Sequence, residues 1–167
     1  MSETIPFQDL TQEQMQDIVT AVVKGEMTLQ EVKGFTDEQM EAIYSIGYNL
    51  YQAGKYNDAV QVFTWLGIFN PFVSKYWLGL GASLQMIKDF ENALNAYAVA
   101  AITSEPEDPV PHLHAGECYV GMGDIEEAGK AFQMAADFSK DKPKYAKTYQ
   151  KALAFLEIIK EVKLEES

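Results

Sequence analysis

One pattern returns three times along the chain at a nearly constant spacing. Each copy contributes a glycine, then an alanine, then an aromatic residue: Gly47, Gly81 and Gly116; Ala59, Ala93 and Ala128; Phe63, Tyr97 and Phe132. The copies are 34 and 35 residues apart. A fixed period of this size is typical of a repeat array, in which each unit buries its apolar face on the next. The chain is therefore predicted to be a short stack of identical supersecondary units.

Residues 36–71 form the best-defined unit, and they predict two antiparallel helices joined by a turn at Ala53-Gly54-Lys55. Small residues stand where the two helices would cross, and Ile43, Ile46 and Leu50 supply the facing stripe. This arrangement matches the tetratricopeptide pattern, a helix–turn–helix of ~34 residues. The equivalent core positions in the later copies are Trp77, Leu80, Gly81, Leu84, Ala93, Tyr97, Ala100, Ala115, Gly116, Tyr119, Ala128, Phe132 and Ala135.

The predicted fold is all-α: three tetratricopeptide repeats, forming an α-solenoid, with a helical segment at each end. The repeats are expected at 36–71, 72–106 and 108–140, with Pro71 and Pro106 ending the second helices of the first two. Residues 1–35 are expected to hold a loose tail over 1–10, a capping helix at 12–24 and one further turn before Gly34. Thr11, Thr28 and Thr36 each precede a Gln or Glu by three positions, as in a capping box. Residues 141–167 are expected to hold a C-terminal capping helix over about 144–162.

Composition excludes several classes of partner. The formal net charge is −12, and all 13 basic residues are lysines. Without arginine the chain lacks the usual bidentate donor to phosphate and base edges, so nucleic acid is not expected as a partner. Residues 1–10 do not have the pattern of a secretory signal, and no stretch approaches the ~20 apolar residues of a membrane span. The single cysteine, Cys118, fits a reducing compartment, so a cytoplasmic protein without membrane insertion is expected.

No residue set predicts catalysis, a metal or a cofactor. His112 and His114 are two residues apart, and such a pair does not share a helix face. Cys118 lies among small packing positions, so a buried, inert thiol is favoured over a nucleophile. The glycines at 79–81 and 121–123 belong to a helix and an inter-helix turn and form no phosphate-binding loop. The chain is therefore predicted not to be an enzyme.

A second apolar stripe on the first helix of the array is formed by Tyr44, Tyr48 and Tyr51. At 100° per residue it lies apart from the core stripe, and the first helices of a stacked array line its concave side. An apolar, aromatic groove of this kind suits an extended peptide. The predicted peptide-binding residues are Tyr44, Tyr48, Tyr51, Lys75, Leu78, Ala82, Gln85, Met86, Leu113 and Glu117. The alternative is that the tyrosines pack on the N-terminal helix or fill the core.

Another aromatic pair, Trp65 and Phe69, stands outside the core positions of its helix. Contact with the N-terminal helix and contact with a second subunit are both open for this pair.

The segments at 40–45 and 51–56, together with Tyr48, closely resemble the class II chaperones of type III secretion systems, the SycD/LcrH family. The segments LGLGA at 78–82 and HAGEC at 114–118 resemble that family as well. The similarity spans about residues 10–140. The proline-rich start of repeat three and the longer C-terminal helix depart from the family pattern.

The resemblance implies a bacterial cytosolic chaperone for the two hydrophobic translocator proteins that form a pore in the host membrane. It implies that the groove holds an extended N-terminal segment of the translocator, that Tyr44, Tyr48 and Tyr51 are groove tyrosines, and that weak homodimers form through the N-terminal region. The alternative function is a general repeat adaptor that binds a partner's charged C-terminal tail. That mode would require lysines or asparagines along the groove, whereas tyrosines and leucines are predicted there.

Overall fold

The computed structural model describes residues 11–165, so the predicted tail at 1–10 lies outside the described residues. The helices are α1 (Gln12–Val23), α2 (Leu29–Lys33), α3 (Asp37–Gln52), α4 (Tyr56–Phe69), α5 (Ser74–Met86), α6 (Phe90–Thr103), α7 (Val110–Met122), α8 (Ile125–Ser139) and α9 (Ala146–Glu165). A short 3₁₀ turn at Pro143–Tyr145 precedes α9. Residues 11–165 contain no strand, and the prediction of an all-α repeat fold is confirmed. None of the described helices combines the length and the apolar character needed to span a membrane.

The three threonine caps determine where the first three helices begin. Thr11, Thr28 and Thr36 each accept a hydrogen bond from the backbone three residues on, and the Gln or Glu there accepts one in return. These reciprocal bonds satisfy backbone donors that a helix start otherwise leaves unpaired. Gly34 ends α2 in a left-handed conformation with φ of +70°, which glycine adopts without steric cost.

The recurring glycines exist because aromatic rings fill the space that a side chain would need. A Cβ at Gly81 would stand 2.6 Å from the ring of Tyr97, and one at Gly116 would stand 2.6 Å from the ring of Phe132. Both contacts hold the two helices of one repeat together. The packing of α3–α4, α5–α6 and α7–α8 as hairpins therefore depends on the glycine and aromatic series of the sequence pattern.

Two apolar cores run through the stack. The first spans the first two repeats and reaches α7, with Met40, Phe63, Leu66, Tyr97 and Cys118 among its buried members. The second joins repeat three to α9, with Leu113, Phe132, Ala152 and Ile159 among its buried members. The rings of Phe132 and Phe155 stack with centroids 4.4 Å apart, which fixes α9 against α8.

Ile46, predicted to lie in the facing stripe of α3, is 54% exposed instead. Its equivalent in the second repeat, Leu80, is buried and lines a cavity together with Val60 of α4. The first repeat has no preceding repeat helix to cover the matching position, so Ile46 faces solvent.

The segment around α2, rather than α1, packs on the start of the array. Gln30 is buried, its amide nitrogen donates to Asp37 Oδ1 at 2.7 Å, and its amide oxygen accepts from Asn70 Nδ2 at 2.8 Å. By contrast, α1 buries none of its residues. The covering role expected for α1 is therefore not seen in this structure.

Trp65 and Phe69 stack with centroids 3.9 Å apart. Phe35 lies edge-on to both rings at 5.5 Å. These rings thus pack on the segment between α2 and α3, and this contact is neither the N-terminal helix nor a second subunit.

Candidate functional site: the tyrosine groove

The first helices of the three repeats, α3, α5 and α7, together form a cavity of about 310 Å³. We call it the tyrosine groove, and its lining residues are Tyr44, Tyr48, Tyr51, Phe63, Lys75, Leu78, Gly79, Ala82, Val110 and His114. Six of the ten predicted peptide-binding residues line it, namely Tyr44, Tyr48, Tyr51, Lys75, Leu78 and Ala82. Repeat stacking therefore brings these six, from α3 and α5, to one surface.

The three tyrosines differ in how far they reach into solvent. Tyr48 is 50% exposed, whereas Tyr44 and Tyr51 are half-buried and pack against the first core. The Tyr44 ring lies 5.7 Å from the Phe63 ring, and the Tyr51 ring lies 5.4 Å from the Tyr56 ring. Burial raises the pKa of the Tyr44 and Tyr51 hydroxyls above the ordinary tyrosine value, so both remain protonated donors near neutral pH. The two alternatives for the stripe thus both hold in part, because Tyr44 and Tyr51 serve the core and the groove together.

A charged side chain stands at one edge of the groove. Lys75 Nζ lies 4.5 Å from the centroid of the Tyr44 ring and contacts the Glu41 carboxylate. The cation over the ring face is favourable, and it holds the lysine stem along the groove wall. The lysine is paired within the chain and therefore does not present a bare positive charge to a ligand.

The floor of the groove is made by small residues. Gly79 and Ala82 of α5 lie between the tyrosines and the third repeat. A Cβ at Gly79 would stand 2.5 Å from the Phe63 ring, so only glycine lets α5 approach α4 this closely. Apolar walls, a small floor and hydroxyl groups suit a peptide in extended form, which needs pockets for side chains and partners for its backbone.

A buried polar network lies beside the groove at its third-repeat end. The Glu117 carboxylate is 2.9 Å from His114 Nδ1, accepts from Gln85 Nε2 at 3.1 Å and contacts the Lys151 ammonium. The Tyr97 hydroxyl donates to Gln85 Oε1 at 2.7 Å. Burial alone would raise the pKa of Glu117, but the bonds from His114, Lys151 and Gln85 outweigh it and hold that pKa at about 2. Glu117 is therefore ionised and surrounded by partners within the chain.

The remaining predicted site residues do not line the groove. Leu113 is 5% exposed and belongs to the second core, and Met86 is exposed outside the groove lining. Gln85 and Glu117 belong to the network described above. Leu113 was assigned from its register with Leu78, but the face of α7 that carries it turns into the core of repeat three.

Lys151 and Phe63 are groove-side residues that the sequence reasoning did not single out for this surface. Lys151 stands 34 residues after Glu117, which is the repeat period, so extending the register into α9 would have found it. Phe63 was assigned to the core alone, although the edge of its ring also lines the groove.

The histidines and the cysteine have structural surroundings. His112 packs edge-on against Phe138, and His114 stacks on Tyr97 at 5.3 Å. Within residues 11–165 no three His, Cys, Asp or Glu side chains converge as metal ligands would. Cys118 is fully buried, as expected, and burial raises the pKa of its thiol to about 12.

Comparisons with known proteins agree with this architecture. The tetratricopeptide repeat family model matches residues 40–66 and 74–103. Low calcium response locus protein H of Yersinia pseudotuberculosis is 33% identical over 138 residues, which is 83% of this chain and 82% of that protein.

Two solved structures are similar along most of their length. The Yersinia enterocolitica type III secretion chaperone SycD, in complex with a peptide of the translocator YopD, superposes with a TM-score of 0.72 at 31% identity, covering 77% of this chain and 97% of that one. Pseudomonas aeruginosa PcrH, in complex with the chaperone binding region of PopD, gives a TM-score of 0.75 at 32% identity, covering 78% and 97%. With its repeat architecture and this extent of identity, the chain belongs to the SycD/LcrH family of class II type III secretion translocator chaperones.

Proposed function

We propose that this chain is a cytoplasmic bacterial chaperone that holds an extended apolar segment of hydrophobic translocator proteins in the tyrosine groove. The observation that carries the proposal is the groove itself, in which three tyrosines and a small-residue floor form an open, mostly apolar surface. The bound segment is expected near the N-terminus of the translocator, lying across α3 and α5. Tyr44, Tyr48, Tyr51, Leu78 and Ala82 would contact its side chains, and Lys75 would stand at its edge.

The two relatives of known structure support this assignment. SycD was crystallised with a peptide of the translocator YopD, and PcrH with the chaperone binding region of PopD. Both are more than 30% identical to this chain across three quarters of its length or more. A shared fold at this identity favours the same kind of ligand.

The proposed mechanism is protection without chemistry. Apolar segments of a pore-forming protein aggregate or insert prematurely when they are left in water. Covering such a segment keeps the translocator soluble and secretion-competent, and a net charge of −12 keeps the complex dispersed. The export machinery would supply the work of release, so the chaperone needs no nucleotide.

A direct binding measurement tests the proposal. Isothermal titration would compare the unaltered chain with Tyr48→Ala, using apolar, proline-containing peptides from the N-terminal segment of a translocator encoded beside the chaperone. Because Tyr48 is half-exposed and makes no core contact, its loss should weaken binding at least ~10-fold without unfolding the chain. Tyr145→Ala, on the 3₁₀ turn far from the groove, is the matched control and should bind normally.

The same titration separates the chaperone from a general adaptor. Acidic C-terminal tail peptides should fail to bind, because Lys75 is the one lysine in the groove lining and it is already paired with Glu41. Unchanged affinity in a folded Tyr48→Ala variant, or preferential binding of acidic tails, would contradict the groove assignment.

We also propose that the chain self-associates through its N-terminal region. The support is the apolar face of α1, where Val19 is 60% and Val23 81% exposed. An amphipathic helix of this kind gains stability when a partner covers its apolar side.

A further inference from the structure

The array does not end at the third repeat, because α9 occupies the register of another first helix. Ser83 in α5, Cys118 in α7 and Ala152 in α9 follow one another at the repeat spacing, and all three are completely buried. The ion pair between Glu117 and Lys151 spans 34 residues, as does the pair between Glu41 and Lys75. Both pairs link one first helix to the next. The C-terminal helix is therefore the first half of a fourth repeat.

Among the described residues this half-repeat has no second helix. The first helices α3, α5 and α7 each pack against an antiparallel partner, whereas α9 packs on α8 and leaves its other side open. A groove of about 940 Å³ runs between α8 and α9. Its apolar lining consists of Met134, Phe138, Leu156, Ile159 and Leu164. We call this the α8–α9 groove.

The chain also contains a helix without packing partners that would suit such a groove. The apolar residues Met15, Ile18, Val19 and Val22 lie on one side of α1, at the spacing of one helix face. Glu13, Asp17 and Lys24 lie on the opposite side. A groove that covers one side only would bury the first set and leave the second in water.

Within one copy the two surfaces stand at opposite ends of the stack. The segment of α2 that follows α1 packs on α4, and the α8–α9 groove lies two repeats further on. Residues 24–28 join α1 to α2 and reach at most about 17 Å when extended. Because this linker cannot carry α1 past two stacked repeats, the helix that fills the groove has to come from another copy.

The charges of the two ends favour the same contact. Residues 11–39 carry six acidic side chains and two lysines, whereas residues 140–165 carry seven lysines and four acidic side chains. The end with α1 is therefore net negative and the end with the groove net positive. Opposite potentials steer such surfaces together and disfavour contact between two α1 ends.

We propose that α1 of a second copy docks in the α8–α9 groove and completes the fourth repeat. Reciprocal exchange of α1 between two copies closes the contact as a dimer, because each copy offers one helix and one groove. This inference rests on the proposed self-association and is independent of peptide binding in the tyrosine groove.

Two single substitutions and their mixture test the inference. Val19→Glu changes α1 and Met134→Glu changes the groove, at positions 60% and 44% exposed, so both variants should fold. Sedimentation velocity of the full chain should show a dimer dissociation constant raised at least ~10-fold for each variant, since a carboxylate then enters an apolar contact. Ile102→Glu, at a position 83% exposed and away from both surfaces, is the control and should dimerise normally.

An equal mixture of the two variants gives the sharpest result. One intact α1 and one intact groove remain in a mixed pair, so mixing should restore part of the dimer that neither variant forms alone. A dimer that survives Met134→Glu, or no recovery on mixing, would overturn this inference while leaving self-association in place. An unaltered chain that stays monomeric would overturn both, and circular dichroism of each variant excludes unfolding as the cause.

Discussion

The ring of Tyr44 lies edge-on to the ring of Phe63, with their centroids 5.7 Å apart and their planes at 62°. Phe63 is a fully packed core residue, and Tyr44 also lines the tyrosine groove. One side chain therefore stabilises the first repeat and forms part of the surface proposed to bind the translocator. Tyr48, one turn further on, lines the groove without a ring contact of this kind.

Substituting these two tyrosines should separate stability from binding. Tyr44→Ala removes a half-buried ring from the core edge and should lower the free energy of unfolding by about 1–3 kcal/mol, whereas Tyr48→Ala should change it by less than about 0.5 kcal/mol. Urea unfolding followed by circular dichroism gives both values. Tyr44→Phe keeps the ring and is the control, and equal losses for the two alanine variants would show that Tyr44 has no share in the core.

The repeat glycines should differ sharply from a glycine in the open groove. Gly116→Ala places a Cβ 2.6 Å from the Phe132 ring and should destabilise the chain by about 1–3 kcal/mol through overpacking. Gly129→Ala, in the middle of α8, meets only Ile159 at 3.9 Å and should stabilise the helix by up to about 1 kcal/mol. Thermal unfolding of the pair checks the prediction, which fails if both substitutions move the midpoint in the same direction.

Acid should weaken the chain partly through Glu117. Its pKa lies at about 2 in the folded chain, below its ordinary value of 4.5, so its contribution to stability is complete above about pH 4.5 and is lost as the pH falls toward 2. Allowing for solvent screening, that contribution is on the order of 1–2 kcal/mol. Urea midpoints measured from pH 6 down to pH 3 should fall less steeply for Glu117→Gln than for the unaltered chain.

The exposed carboxylate variant Glu91→Gln is the control for this experiment and should follow the unaltered profile. Parallel profiles for Glu117→Gln and the unaltered chain would mean that the network around Glu117 does not favour its ionised form.

The thiol of Cys118 should be unreactive while the chain is folded. It is completely buried and its pKa is raised to about 12, so on the order of one thiol in 10,000 is ionised at pH 8. Ellman's reagent should label it only at the rate at which the first core opens, and quickly in urea. Ile102→Cys, which adds an 83% exposed thiol, supplies the fast reference. Comparable rates for the two thiols in native buffer would contradict the burial of Cys118.

Much of this architecture was predictable because the repeat repeats its own physical problem. Gly81 and Gly116 are glycines for the same steric reason, and the threonine caps act over three residues, so both signals are complete within the sequence. The first helices follow the repeat register, which places Tyr44, Leu78 and Ala82 on one surface. Membership of a chaperone family also confirms that the chain is not an enzyme, as the lack of an assembled catalytic set predicted.

The departures occur where neighbours differ between copies. Ile46 was assigned by analogy with Leu80, but no repeat helix precedes the first copy to cover it. Leu113 occupies the register of Leu78, yet it turns inward because α8 and α9 form a separate core around repeat three. Periodicity gives the position of a side chain on its helix, whereas its exposure depends on what packs outside that helix. The spacing also missed Lys151, because α9 was treated as a cap rather than as a continuation of the register.

The sharing of α7 between the two cores has a consequence for how the chain opens. Cys118 belongs to the first core and Leu113 to the second, so α7 forms a seam between two cooperative units. The unit beyond the seam can unfold on its own while the rings of Tyr44 and Tyr51 stay anchored in the other unit. Amide hydrogen exchange would then protect two blocks to different degrees. The cargo surface would outlast the opening of the far end, as a carrier that meets an export gate end-first requires.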